Sequence, residues 1–141
     1  MKCFIAVFRE QSTGLIMSIS AKEDSIFYTE RLAQILETEN SADYIREQLF
    51  MCTDYNLYLK KRLEVKVAEL KNYTVYKEKY LAEHNYLSEK VFEETKTLFE
   101  EQEEFLMRHV ASRCGQCLRH EIEVTDEIAL QCFDLRKKLL I

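Results

Sequence analysis

Residues 41–113 of this 141-residue sequence read SADYIREQLFMCTDYNLYLKKRLEVKVAELKNYTVYKEKYLAEHNYLSEKVFEETKTLFEEQEEFLMRHVASR, with neither proline nor glycine. Those two residues are the strongest helix breakers, so their absence favours continuous helix. Apolar residues recur at multiples of seven residues, a repeat typical of a helix packed along one face against another helix. We therefore predict a long coiled-coil-like segment whose partner-binding residues are Leu49, Leu63, Leu70, Val91, Leu98 and Phe105.

Two arrangements of this long segment fit the pattern. An unbroken helix would leave its apolar face exposed, and such a face requires a second chain to cover it. Alternatively, Asn72, Tyr73 and Thr74 interrupt the helical composition, and a break at 72–74 would let Thr74 begin a second helix that packs antiparallel on the first, as in a bundle. Both arrangements bury apolar helix faces, the first between chains and the second within one chain.

The N-terminal residues 1–22 predict a small β-hairpin. Residues 2–8 and 15–20 are rich in β-branched and aromatic side chains, and Gly14 between them supplies the backbone freedom that a tight loop requires. Both faces of the first strand are apolar, and a two-stranded ribbon covers only one face at best. The protein's own helices are expected to cover it, or its free edge pairs with a strand from another chain.

The remaining residues predict two shorter helices in a single, mainly α domain. One helix is expected over 24–38, after which Ser41 caps the long segment. The other is expected over 125–140, with Thr125 as its cap and acidic residues in its first turn. Residues 121–124 alternate in polarity and fit either an extended linker or a third short strand.

The charge balance disfavours nucleic acid as a partner. Twenty basic and 25 acidic residues give a net charge of −5, with the two signs interleaved, so no long basic stripe is available to replace phosphate counterions. No window has the roughly 18 apolar residues of a membrane span. The N-terminal apolar run is too short for a signal peptide, and five cysteines form no disulfide framework. We expect an intracellular protein, cytoplasmic or nuclear, with free thiols.

One cluster carries donor types suited to metal or redox chemistry: His109, Cys114, Cys117 and His120. Thiolates and imidazoles are the usual ligands of structural zinc, but four ligands on one regular helix cannot surround an ion tetrahedrally. The Cys-Gly-Gln-Cys segment resembles a dithiol redox motif of the thioredoxin type, yet helix rather than strand is expected before it. Ordinary, partly buried cysteines are the expectation, with no metal or other cofactor, and zinc binding by these four residues stays open.

The sequence contains no catalytic constellation, because it lacks a glycine-rich phosphate loop, a serine-based elbow and a concentrated pair of carboxylates with a nearby base. We therefore predict a non-enzymatic assembly or adaptor subunit that acts through helix–helix contacts with a copy of itself or a helical hetero-partner. The alternatives are a compact helical module that inhibits or regulates a partner through its acidic surface, and a metal- or redox-responsive regulator centred on Cys114 and Cys117.

Overall fold

A computed structural model of the chain describes residues 1–139, most of which lie in four helices that accompany a three-stranded antiparallel sheet. The strands are β1 (Cys3–Glu10), β2 (Ile16–Lys22) and β3 (Tyr44–Cys52). The helices are α1 (Tyr28–Asn40), α2 (Tyr55–Glu83), α3 (Glu89–Arg119) and α4 (Asp126–Lys138). Within this range, no helix combines the length and hydrophobicity needed to cross a bilayer.

Strand β1 is the centre of the sheet, in the order β2-β1-β3. It forms the predicted hairpin with β2, and Gly14 in the connecting loop has a φ of +76°. Both faces of β1 are buried by the chain's own helices. Cys3, Ile5 and Val7 pack with side chains of α2 on one face, whereas Ala6 and Phe8 pack with β2 and with Ile35 of α1 on the other.

The sequence predicts residues 44–52 as part of the long helical segment 41–113, and this prediction is wrong, because these residues form strand β3. The nine residues of β3 pair with the second edge of β1 instead. The apolar positions of this stretch fit a helix as well as a strand, and the unpaired edge of an apolar β1 decides between them. A β-bulge at Glu47 interrupts the pairing, since Val7 is opposite Gln48 and Phe8 is opposite Arg46.

The remainder of the long segment forms two helices, so the prediction of one unbroken helix is also wrong. The break lies between Glu83 and Glu89, not at 72–74, and Ser88 caps α3 by accepting a hydrogen bond from the backbone N–H of Val91. Thr74, the expected cap, lies within α2.

Helices α2 and α3 run antiparallel. The Oγ1 of Thr74 donates to Oε2 of Glu103 at 2.9 Å, while near the other end Sγ of Cys117 lies 3.7 Å from the carbonyl oxygen of Leu59. This contact buries Leu63 and Leu70 against α3 and α4.

The shorter helices lie close to their predicted positions. The helix expected over 24–38 is α1, and that expected over 125–140 is α4, where the Thr125 side chain accepts from the backbone N–H of Ile128 at 3.3 Å. Position 140 lies outside the described residues. Residues 121–124 form no strand, and Ile122 and Val124 pack against the core between α2, α3 and α4.

A disulfide between Cys114 and Cys132 joins α3 to α4, with the two Cα atoms 6.1 Å apart. The expectation of free thiols therefore does not hold for this pair. Cys3, Cys52 and Cys117 are free, and all three are buried.

Leu63 and Leu98 occupy equivalent positions of the seven-residue pattern but should differ sharply in their effect on stability. Leu63 is 1% exposed and Leu98 is 67% exposed. Leu63→Ala should lower the free energy of unfolding by about 2–5 kcal/mol, because it leaves a cavity in the core. Leu98→Ala should change it by less than about 0.5 kcal/mol. Urea denaturation of both variants tests the assignment, and equal losses would contradict it.

Reduction of the Cys114–Cys132 disulfide should destabilise the protein. The two residues are 18 positions apart, and closing a loop of that size is worth about 3 kcal/mol in the chain-entropy treatment. Urea denaturation with and without dithiothreitol measures the difference. The Cys114→Ser variant should show no response to reductant, and a wild-type protein that is equally indifferent would argue against the bond.

Candidate functional sites

The structure divides the six predicted partner-binding residues into three groups. Leu49 lies on β3 and is 40% exposed. Leu63 and Leu70 are buried inside the chain and are unavailable to a partner. Val91, Leu98 and Phe105 lie on α3 and are exposed.

We call Val91, Leu98 and Phe105 the α3 stripe. Their spacing of seven residues, nearly two helical turns, places all three on one side of the helix. The side of α3 that faces α2 carries other residues, among them Phe99, Glu103 and Val110. The stripe is therefore additional to the internal helix contact.

The α3 stripe runs through an acidic part of the helix. Residues 93–104 contain six glutamates and a single lysine. Glu103 points inward, where Lys77 and Thr74 contact its carboxylate, and it is 9% exposed. The other five glutamates are exposed, so the stripe has negatively charged surroundings.

The histidine and cysteine cluster does not form a common site. Cys114 is in the disulfide, whereas Cys117 is buried, and burial raises the pKa of its thiol. The His120 ring meets the Tyr55 ring edge-on at 5.5 Å, and the His109 ring lies 4.3 Å from that of Phe105. Among residues 1–139, no three histidine, cysteine or acidic side chains are grouped as metal ligands.

A cavity of about 390 Å³, which the sequence analysis missed, lies where β2 and the start of α1 meet α2 and α3. We call it the basic cavity, because among residues 1–139 it is lined by five cationic side chains and one histidine and by no carboxylate. Two of them come from α2 and two from α3, while β2 and α1 contribute one each. These residues are Lys22, Arg31, Arg62, Lys66, His109 and Arg113.

Two of the five cations have acidic neighbours. The ammonium of Lys66 lies 3.0 Å from the carboxylate of Glu69, which also accepts a hydrogen bond from Ser18 at 3.0 Å. The ammonium of Lys22 lies 3.5 Å from Asp24. Within residues 1–139, no carboxylate lies within 4.0 Å of the three guanidinium groups in the cavity, so the cavity has an excess of positive charge.

Several nitrogen atoms in the wall of the basic cavity are buried without a hydrogen-bond partner. They are Nε of Arg62, Nε of Arg113 and Nδ1 of His109. Buried polar atoms are normally paired, and each exception requires an explanation. Arg113 has one weak contact, a donor bond of 3.3 Å to the carbonyl oxygen of His109 in its own helix. Arg62 lies over the Tyr58 ring, 5.4 Å from its centroid.

The pKa values in the basic cavity show that its charges are poorly compensated. Burial and the neighbouring Arg62 lower the pKa of Arg113 to about 10. Burial and the charge of Arg113 also lower the pKa of His109. Both shifts mark a place where additional positive charge is unfavourable, and where an anion would be stabilised.

The sequence held one local sign of the basic cavity. Arg62 and Lys66 are one helical turn apart on α2, as are His109 and Arg113 on α3. Neither pair forms a run of basic residues. Only the antiparallel contact between α2 and α3 brings the pairs to one cavity.

Comparisons with known proteins add no functional assignment. No protein-family model matches the chain, and searches of the curated proteins and of the solved structures found no match. Function must therefore be inferred from the two surfaces described above, the α3 stripe and the basic cavity.

Proposed function

We propose that this protein is a non-enzymatic assembly or adaptor subunit that binds a partner helix along the α3 stripe. The observation that carries the proposal is the exposure of Val91, Leu98 and Phe105, which are 44%, 67% and 52% accessible. Three large apolar side chains in one row are costly to leave in water, since burial of apolar surface is worth about 25 cal/mol per Å². A partner that covers the row recovers this free energy.

A helix is the partner element that the spacing of the stripe favours. Side chains at i, i+7 and i+14 form the repeating contact of a coiled-coil interface, in which a second helix lies almost parallel to the first. A strand repeats every two residues and would meet only part of such a row. The proposed contact is thus a short coiled-coil-like interface outside the contact between α2 and α3.

The charges beside the stripe favour a different protein over a second copy. In a pair of α3 helices, acidic flanks would face each other over residues 93–104, and like charges at an interface weaken association. A helix with lysine or arginine beside its apolar row would complement the flanks. We therefore propose a hetero-partner with a basic amphipathic helix, and the same acidic surface would also suit an inhibitor that covers such a helix.

We also propose that this function is carried out in the cytoplasm or nucleus. Three buried free thiols, Cys3, Cys52 and Cys117, support that location, because oxidising compartments favour paired cysteines. The Cys114–Cys132 disulfide argues against this location, because reducing compartments keep thiols reduced, and we expect the bond to be open there.

A designed peptide tests the proposed helix contact. The probe is a fluorescent 21-residue helix with leucine at the a and d positions and lysine at the flanking positions. We expect binding at micromolar concentration, measured by fluorescence anisotropy. The double substitution Leu98→Ser and Phe105→Ser should weaken binding about tenfold or more, because two anchors are lost while the charge of the protein is unchanged.

Leu130→Ser is the matched control for the peptide experiment. Leu130 is 63% exposed on α4, close to the exposure of Leu98, and lies outside the stripe. This variant should bind the peptide as well as wild type does. Equal weakening in both variants, or equal binding of a scrambled peptide with the same lysines, would contradict the proposal. A dimer detected by light scattering and dispersed by the double substitution would replace the hetero-partner with a second copy.

A further inference from the structure

We propose that the basic cavity binds a small phosphorylated organic molecule of mononucleotide size, whose phosphate group is held by Arg62 and Arg113. The cavity shares no residue with the α3 stripe, although the Phe105 ring lies 4.3 Å from that of His109, and the inference does not depend on the adaptor function. Its basis is the combination of guanidinium groups with unpaired Nε atoms, hydroxyl donors and aromatic side chains around one cavity.

The cavity has what an anion requires and lacks what a cation requires. Five cationic side chains line it, and the carboxylate of Glu69, which lies 3.0 Å from Lys66, is already shared by Lys66 and Ser18. Arg62 and Arg113 are half-buried with their Nε atoms buried and unpaired, and partly desolvated charges without partners lower stability. A bound anion would remove that cost and supply acceptors for the unpaired Nε atoms.

Phosphate is the anion that this set of donors fits best. A guanidinium presents parallel N–H groups that match two oxygens of a phosphate, and two such groups suit its double negative charge. The cavity wall adds the hydroxyls of Ser20 and Ser25, which are neutral donors for the remaining oxygens, whereas the Ser18 hydroxyl already donates to Glu69. A carboxylate has two oxygens and one charge, and would leave more of these donors unpaired.

The size of the cavity indicates an organic phosphate. At about 390 Å³ it falls within the range of small-molecule sites, roughly 300–1,000 Å³, and far exceeds the space of about 30 Å³ that one water molecule takes up. Phe27, Tyr55 and Tyr58 also line the wall. Aromatic faces of this kind suit a planar or apolar group such as a nucleobase.

A nucleic-acid strand fits these observations less well than a small molecule. Polymers of phosphate are bound by basic surface along their length, and affinity depends on many such contacts. Here the net charge is −5, and residues 93–104 of α3 are strongly acidic. The positive charge is concentrated in one cavity, which suits a single phosphate group.

Titration of the full-length protein with adenosine 5′-monophosphate, inorganic phosphate and adenosine tests the proposal. Calorimetry gives the affinities, and NMR follows the Nε–Hε signals of Arg62 and Arg113. We expect the nucleotide to bind most tightly, inorganic phosphate to bind more weakly with shifts of the same two signals, and adenosine to show no measurable binding. Arg113→Met and Arg62→Gln should each weaken nucleotide binding about tenfold or more.

A stability measurement distinguishes a ligand site from a merely structural cluster. Arg113→Met should raise the thermal midpoint of the ligand-free protein by about 3 °C, because it removes a poorly compensated charge. The same variant should lose the further stabilisation that the nucleotide gives wild type. Arg119→Met is the matched control, because Arg119 is exposed on the same helix and does not line the cavity. It should change neither quantity.

Four results would overturn the inference. The first is that Arg113→Met is destabilised while Arg62→Gln binds the nucleotide as wild type does. The second is that adenosine binds as tightly as the nucleotide. The third is that inorganic phosphate binds more tightly than the nucleotide. The fourth is a 5′-phosphorylated oligonucleotide that binds at least 100-fold more tightly than the mononucleotide and shifts the same arginine signals, since that would identify a nucleic-acid end as the ligand.

Discussion

Residues 3–8 of strand β1 have no polar face, and the arrangement of the other elements follows from this constraint. A strand with apolar side chains on both faces must be covered on both sides. Its two edges must also be paired, so that the backbone N–H and C=O groups have hydrogen-bond partners. Helix α2 covers one face of β1, and helix α1 covers the other. Strands β2 and β3 pair with the two edges. Once α2 is fixed on the sheet, its remaining apolar side chains, including Leu63 and Leu70, determine where α3 lies.

The sequence predicts the elements that local chemistry specifies. The hairpin follows from two apolar runs around Gly14, and the start of α4 follows from Thr125, whose side chain caps the helix. The sequence does not predict β3, because the apolar positions of residues 44–52 fit a helix and a strand equally well. Pairing with β1 decides in favour of the strand. The position of the turn between α2 and α3 is missed for a related reason: residues 72–74 have poor helix formers, but Thr74 and Tyr73 are held there by contacts with α3.

The basic cavity shows a different limit of sequence reasoning. Along the chain, other residues and many acids separate the five cations Lys22, Arg31, Arg62, Lys66 and Arg113. The antiparallel contact of α2 with α3 brings Arg62 close to Arg113, although they are far apart in sequence. The sequence predicts that Val91, Leu98 and Phe105 share one helix face. It does not predict that this face is exposed while Leu63 and Leu70 are buried, because that depends on which side of α3 packs against α2.

The bulge at Glu47 limits how the outer edge of the sheet can be extended. Ion pairs hold residues at the bulge, Arg9 with Glu47 and Arg46 with Glu39, and bulges in general bend the strand that carries them. An incoming strand could match the backbone only along the regular half, Gln48–Cys52. In natural proteins, charged residues and bulges at sheet edges prevent the edge strand of one molecule from pairing with that of the next. This short irregularity thus shortens the regular edge that a second strand could pair with.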